Sequence, residues 1–92
     1  MPTSFLALLS AYYLCDAAAM LQPLPPSTAQ SCAAHYEAVK SVFGARTGDS
    51  PADRRSAYLR FKAWEAENAD TVGRLREKAA ESARRDLLGE AT

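Results

Sequence analysis

The hydrophobic and polar positions divide this chain into an apolar first half, which we interpret as core, and a highly charged second half, which we interpret as a solvated helix with one buried stripe. The first of three segments is apolar almost throughout, the other two have apolar residues spaced by three and four as on one helix face, and none alternates strictly as a half-buried strand would. We therefore predict an all-α protein. Its helices would cover residues 4–21, 28–43 and 51–88, joined by a Pro-rich linker over 22–27 and a loop over 44–50.

Local signals mark the ends of these helices. The prolines of the linker end the first helix, because proline lacks an amide donor and disfavours helical geometry in the residue before it. Ser27 or Thr28 can cap the second helix, and Gly44 suits a left-handed position after its last turn. Ser50, followed directly by proline, is typical of the start of a third helix.

The third helix is predicted to be longer than the other two. Unbroken, it would be about 55 Å long, whereas the first two would each span about 25 Å. The pattern predicts a three-helix bundle with a long C-terminal helix, or a four-helix bundle if that helix breaks near residue 70. There, Asp70 or Thr71 could cap a new helix.

An unbroken third helix would project its far end into solvent. The projecting segment has a narrow stripe of small and aliphatic residues, which invites close approach by another helix from a second copy or a different protein. The predicted partner-binding residues are Val72, Leu75, Ala79, Ala83 and Leu87.

Length and charge limit the classes of function. The chain has 92 residues, which is enough for one domain, and its eleven Lys and Arg balance its eleven Asp and Glu. No net field therefore attracts nucleic acid or an anionic membrane. Arg54, Arg55 and Lys62 are the candidate nucleic-acid contacts, but acidic residues flank them, and a solvated helix face is the preferred interpretation.

The apolar N-terminus has two interpretations. Residues 5–15 look like the core of a signal peptide, and the alanines at 17–19 could form a cleavage site. However, the first four residues include no basic one, and Asp16 interrupts the apolar run, which also argues against a membrane span. We favour a buried first helix and keep as an alternative a small exported, periplasmic protein with residues 1–19 removed as a signal peptide.

The two cysteines lie at similar distances from the predicted turn between the first two helices. Cys15 and Cys32 could form a disulfide in an exported protein, although packed thiols are the preferred interpretation. His35 lies three residues after Cys32, but the chain has too few ligands nearby for a closed zinc site. We predict no metal, no cofactor and no catalytic residue, since no base–nucleophile pair or phosphate-binding loop is evident.

These patterns favour a non-enzymatic structural or adaptor protein that makes helix-mediated contacts with protein, either a second copy or a heterologous partner. It would be an accessory subunit of a larger cellular or viral assembly, located in the cytoplasm or within that assembly. The exported helical protein and a nucleic-acid-binding helical module are the alternatives.

Overall fold

The computed structural model describes residues 3–46 and 48–91, and this part of the chain forms four helices and no strand. The helices are α1 (Thr3–Leu21), α2 (Pro26–Val42), α3 (Pro51–Glu67) and α4 (Ala69–Ala91). The all-α class is confirmed, in its four-helix form. Thr47 of the predicted loop and residues 1–2 of the predicted signal segment lie outside the described residues.

The predicted continuous helix over 51–88 is wrong, because the chain breaks at Asn68. The backbone N–H and the side-chain amide of Asn68 both donate to the carbonyl of Trp64, at 3.0 and 2.9 Å. Its own carbonyl accepts from the N–H of Val72 at 3.0 Å. Asn68 therefore ends α3 and begins α4, and the predicted caps at Asp70 and Thr71 are not used.

α1 is the central helix, since it packs along both α2 and α4. Phe5, Leu9 and Tyr13, spaced by four on one face, are almost fully buried. The C-terminal ends of α1 and α4 line a common cavity, so these two helices run in the same direction. A helix that is apolar all round is stable where neighbours cover most of its faces, which agrees with the expected buried first helix.

α3 contacts α1 through large aromatic side chains. Trp64 lies edge-on to Phe5, with ring centroids 5.1 Å apart, and Phe43, directly after α2, lies 5.8 Å from Phe5. Phe61 completes this cluster against Phe43, at 5.6 Å. Such pairs each contribute about 0.5–1.5 kcal/mol beyond their area burial, so the rings hold α3 against α1.

The local signals at Gly44 and Ser50 are confirmed. Gly44 follows α2 with a φ of +106°, a conformation that side chains with a Cβ rarely adopt. The hydroxyl of Ser50 accepts from the N–H of Asp53 at 3.2 Å and so caps α3. The predicted cap at Ser27 or Thr28 is wrong, because α2 begins at Pro26 and has no side-chain cap. Proline is tolerated there since the first turn needs no internal donor.

Candidate functional site

The residues predicted to bind a partner on α4 pack inside the molecule instead. Ala79 and Ala83 are only 6% and 4% exposed, and Val72 and Leu75 contact the hydrophobic core. Leu87 is half-buried in the wall of a cavity. The prediction that the helix end projects into solvent is therefore wrong. The break at Asn68 folds α4 back onto α1, where the small residues of α4 allow close packing.

The predicted nucleic-acid contacts do not form a free basic surface. The guanidinium of Arg54 lies 2.7 Å from the carboxylate of Glu37, and the ammonium of Lys62 lies 2.7 Å from that of Glu65. Arg55 is exposed on α3. Two of the three cations are therefore paired with carboxylates of the same chain, which would compete with phosphate for them.

Cys15 and Cys32 are joined by a disulfide with a Cα–Cα distance of 5.7 Å. The preferred interpretation of packed thiols is therefore wrong. The bond connects the fourth turn of α1 to the second turn of α2, as the antiparallel hairpin allows, and both residues are half-buried. Because its sulfur is bonded to Cys15, Cys32 cannot offer a thiolate to a metal beside His35. The described residues contain no group of three or more His, Cys, Asp and Glu that could hold a metal ion.

A buried carboxylate connects three helices. Glu65 of α3 is 8% exposed. It accepts a hydrogen bond from the hydroxyl of Tyr13 on α1 at 2.6 Å and pairs with Lys62. Arg76 of α4 lies 3.5 Å from Glu65, 3.3 Å from Asp16 and over the ring of Tyr13, with 4.1 Å from its guanidinium carbon to the ring centroid.

The pKa values follow from this geometry. Burial alone raises the pKa of Glu65, but the hydrogen bonds from Lys62 and Tyr13 and the charges of Lys62 and Arg76 outweigh it, so that the net pKa lies below the ordinary value. Burial, followed by the hydrogen bond to Glu65, raises the pKa of Tyr13 far above its ordinary value. The pKa of Lys62 is raised first of all by its hydrogen bond to Glu65. Each group therefore keeps the protonation state that its partner requires.

This network is best explained as a structural connection. No buried side-chain nitrogen or oxygen of the described residues lacks a hydrogen-bond partner, and both carboxylate oxygens of Glu65 are engaged by groups of the same chain. Breaking such a buried pair is costly, because it leaves an uncompensated charge. The network therefore fixes the arrangement of α1, α3 and α4.

Sequence reasoning missed Glu65 because the charged half was interpreted as solvated. A signal was nevertheless present: Glu65 follows the buried Phe61 by four residues and the buried Ala57 by eight, which places the three on one helix face. A charged residue at such a position needs partners inside the fold. Lys62 lies one turn earlier on α3, but Tyr13 and Arg76 come from α1 and α4, which no spacing within α3 identifies.

A mainly apolar cavity of about 330 Å³ lies at the end of the bundle where α1 and α2 meet. α1, the linker, α2 and the last turns of α4 form its wall, and the disulfide is part of it. Its apolar lining includes Leu14, Ala18, Leu21, Leu24, Ala83 and Leu87. Among the described residues that line it, Asp86 is the only charged one.

One side of the cavity is formed by a segment without acidic residues, lysine or arginine. The sequence contains no Asp, Glu, Lys or Arg from residue 17 to residue 36, although such residues make up 24% of the chain. Residues 19–31 are all exposed except Leu24, which is half-buried. We call residues 19–31 the uncharged end; the cavity, which Asp86 also lines, adjoins it. The interpretation of the whole apolar first half as core is therefore wrong, because much of α2 faces solvent.

Two large apolar side chains protrude at the uncharged end. Met20 is 85% exposed and Leu21 is 42% exposed. Interface centres are depleted in charged residues and enriched in methionine relative to other surfaces, and sequence reasoning did not identify this region. Within the part of the chain that the structure describes, no helix combines the length and apolarity needed to cross a membrane.

Comparison with models of known protein families, with curated proteins and with solved structures found no match to this chain.

Proposed function

We propose that this is a non-enzymatic structural or adaptor protein that binds another protein through its uncharged end. The observation that carries the proposal is the coincidence of an apolar cavity, exposed Met20 and Leu21, and a stretch without charged residues. The matching partner presents apolar side chains and no unpaired charge, because a charge buried against this wall would lose its hydration without compensation.

Several charged side chains away from the uncharged end are engaged within the chain, which supports the proposal. Glu37 pairs with Arg54, and Glu65 and Asp16 both pair with Arg76, and each of these pairs joins two different helices. α4 is engaged with α1 along its small-residue stripe. In this proposal the helical framework uses those groups internally, and the uncharged end is the part left for a partner.

The disulfide supports an oxidising compartment for the protein, because disulfides persist there and are rare in the cytosol. We therefore keep the alternative of an exported protein, but without removal of residues 1–19. Removal of residues 1–19 would take away Phe5, Leu9 and Tyr13 from the core, and Cys15 from the disulfide. In this proposal α1 stays in the mature protein.

Site-specific photo-crosslinking in cells of the source organism tests the proposal. A benzophenone amino acid replaces Met20 and, as the matched control, Leu59, which is 53% exposed on α3. We expect a discrete protein adduct from position 20, none from position 59, and loss of the adduct when Ala18→Leu fills the cavity from its own wall. The intact mass of the purified chain shows whether residues 1–19 and the disulfide are present.

Three results would count against the proposal. If position 20 yields no adduct, the uncharged end does not contact protein in the cell. If positions 20 and 59 yield the same adducts, or if Ala18→Leu leaves the adduct unchanged, the contact does not use the cavity.

A further inference from the structure

The start of α2 is attached to the rest of the bundle mainly by the disulfide. Residues 26–34 are all exposed except Cys32, which is half-buried. The second half of the same helix has other attachments, since Tyr36 stacks on Tyr12 with ring centroids 5.3 Å apart and Val39 is fully buried in the core. The first turns of α2 therefore depend on the covalent bond more than the rest of the helix does.

These first turns and the linker form one wall of the apolar cavity. Leu24, Pro25, Thr28 and Cys32 line it from the linker and α2, and only Leu24 and Cys32 among them are even half-buried. Exposed side chains contribute little burial energy. This wall therefore keeps its position mainly because Cys32 is bonded to Cys15.

We infer that the disulfide between Cys15 and Cys32 is a redox latch for this wall. In the oxidised protein the latch holds the cavity in shape, and reduction by a dithiol releases the linker and the start of α2, which dismantles the cavity. The latch needs no partner, so the inference goes beyond the proposed function. Since the proposed contact uses the cavity, the oxidised protein is the state that binds, and reduction releases its partner.

The disulfide is within reach of a small dithiol. Both cysteines line the cavity and both are half-buried. The cavity of about 330 Å³ corresponds to about eleven water volumes at ~30 Å³ each, which is enough room for such a reductant.

The exchange transfers two electrons and two protons to the protein. One thiolate of the dithiol attacks a cysteine sulfur and forms a mixed disulfide, and the other cysteine leaves as a thiolate and takes up a proton. The second thiol of the reductant then closes its own disulfide, and the first cysteine is released and protonated. An oxidising disulfide reverses both steps, so that the latch is closed in an oxidising compartment.

The other helices have attachments that reduction leaves intact. Phe5 of the aromatic cluster precedes Cys15 on α1 by ten residues, about 15 Å along the helix. The buried Ala79 holds α4 against the core, and Arg76 of α4 pairs with Asp16 of α1. We therefore expect opening to be confined to the linker and the first turns of α2.

Hydrogen exchange of the full chain, with and without excess dithiothreitol at neutral pH, tests the inference. Alkylation and intact mass show when both thiols are free. We expect the amides of residues 30–34 to exchange at least about tenfold faster after reduction, whereas those around Phe61 and Ala79 stay protected at least about a hundredfold. Oxidised glutathione should restore the original pattern.

Two controls separate local opening from unfolding. Trp64 is the only tryptophan of the chain and packs against Phe5 and Phe43, so that its emission and the helical circular dichroism should change little on reduction. The variant Cys15→Ser with Cys32→Ser should show the open exchange pattern without reductant, and dithiothreitol should not alter it. If this variant fails to fold, the comparison of oxidised with reduced wild type decides alone.

Three results overturn the inference. They are a disulfide that dithiothreitol reduces only in denaturant, unchanged exchange of residues 30–34 after reduction, and loss of the Trp64 and helical signals on reduction. The last would show that the bond supports the whole fold and not one wall.

The proposed function fails separately from the latch. If residues 30–34 open as expected but position 20 yields no adduct in cells, the latch stands and the protein contact does not. If the position-20 adduct persists in the double serine variant, the contact stands and its control by the latch is refuted.

Discussion

Replacing both cysteines, as Cys15→Ala with Cys32→Ala, should lower the free energy of unfolding by about 3 kcal/mol. The disulfide closes a loop with a sequence separation of 17, and restriction of the unfolded chain by a loop of this length corresponds to about 3 kcal/mol at 25 °C. A domain of this size has a total stability on the order of 5–15 kcal/mol. The loss would therefore be a large fraction of the whole.

The loss should be concentrated at the start of α2. Residues 26–31 are exposed, and Cys32 is the first residue of α2 that is even half-buried. The disulfide therefore supplies much of the attachment of this segment to α1. We expect its amide hydrogens to exchange much faster in the double variant, while those near the buried Val39 change less.

Three samples check the magnitude: oxidised wild type, reduced wild type and the double variant, each unfolded by urea and by heat. A loss of about 3 kcal/mol corresponds to a fall in Tm of roughly 12–24 °C for a domain of this length. Reduced wild type and the double variant should agree, and reductant should leave the double variant unchanged. A loss below about 1 kcal/mol would refute the reasoning from loop closure.

Two further predictions concern the packing of the helices. Glu65→Gln should cost about 1.5–3 kcal/mol at neutral pH, because Lys62 and Arg76 lose their charged partner. Since the pKa of Glu65 is lowered by folding, its contribution is complete above the ordinary value of 4.5 and is lost as the pH falls through the folded-state pKa. Urea unfolding from neutral pH to about pH 3 should show a smaller acid-side loss in the variant than in wild type, and equal losses would contradict this assignment. Ala79→Leu should cost about 1–3 kcal/mol by overpacking α1 against α4, whereas the exposed control Ala66→Leu should have little effect on thermal unfolding. An unchanged Tm for Ala79→Leu would show that α4 is not packed there.

Helix ends were predictable from sequence where a local group acts alone. Ser50 caps α3 with its own hydroxyl, and Gly44 takes the backbone conformation that glycine tolerates best. Both effects involve only a few neighbouring residues, so the printed order of residues is sufficient to identify them. The all-α class follows in the same way from apolar spacing and from the absence of alternating segments.

The break at Asn68 and the candidate site were decided by contacts between distant residues. A continuous helix and a bent one satisfy the spacing over 51–88 equally well, and the bent form prevails because it buries Ala79 and Ala83 against α1. That gain depends on how the helices meet, which periodicity along one helix does not specify.

The sequence shows that residues 17–36 include no Asp, Glu, Lys or Arg, but it does not show whether these residues are buried or exposed. An apolar stretch without charge can be core or contact surface, and the sequence alone favoured core. The tertiary structure exposes residues 19–31 because α4 packs along α1, and none of the described helices covers the first turns of α2. Whether a residue is buried depends on which helices, often distant in sequence, pack against it. Sequence therefore determined which residues carry no charge, and only the fold decided that they face solvent beside a cavity.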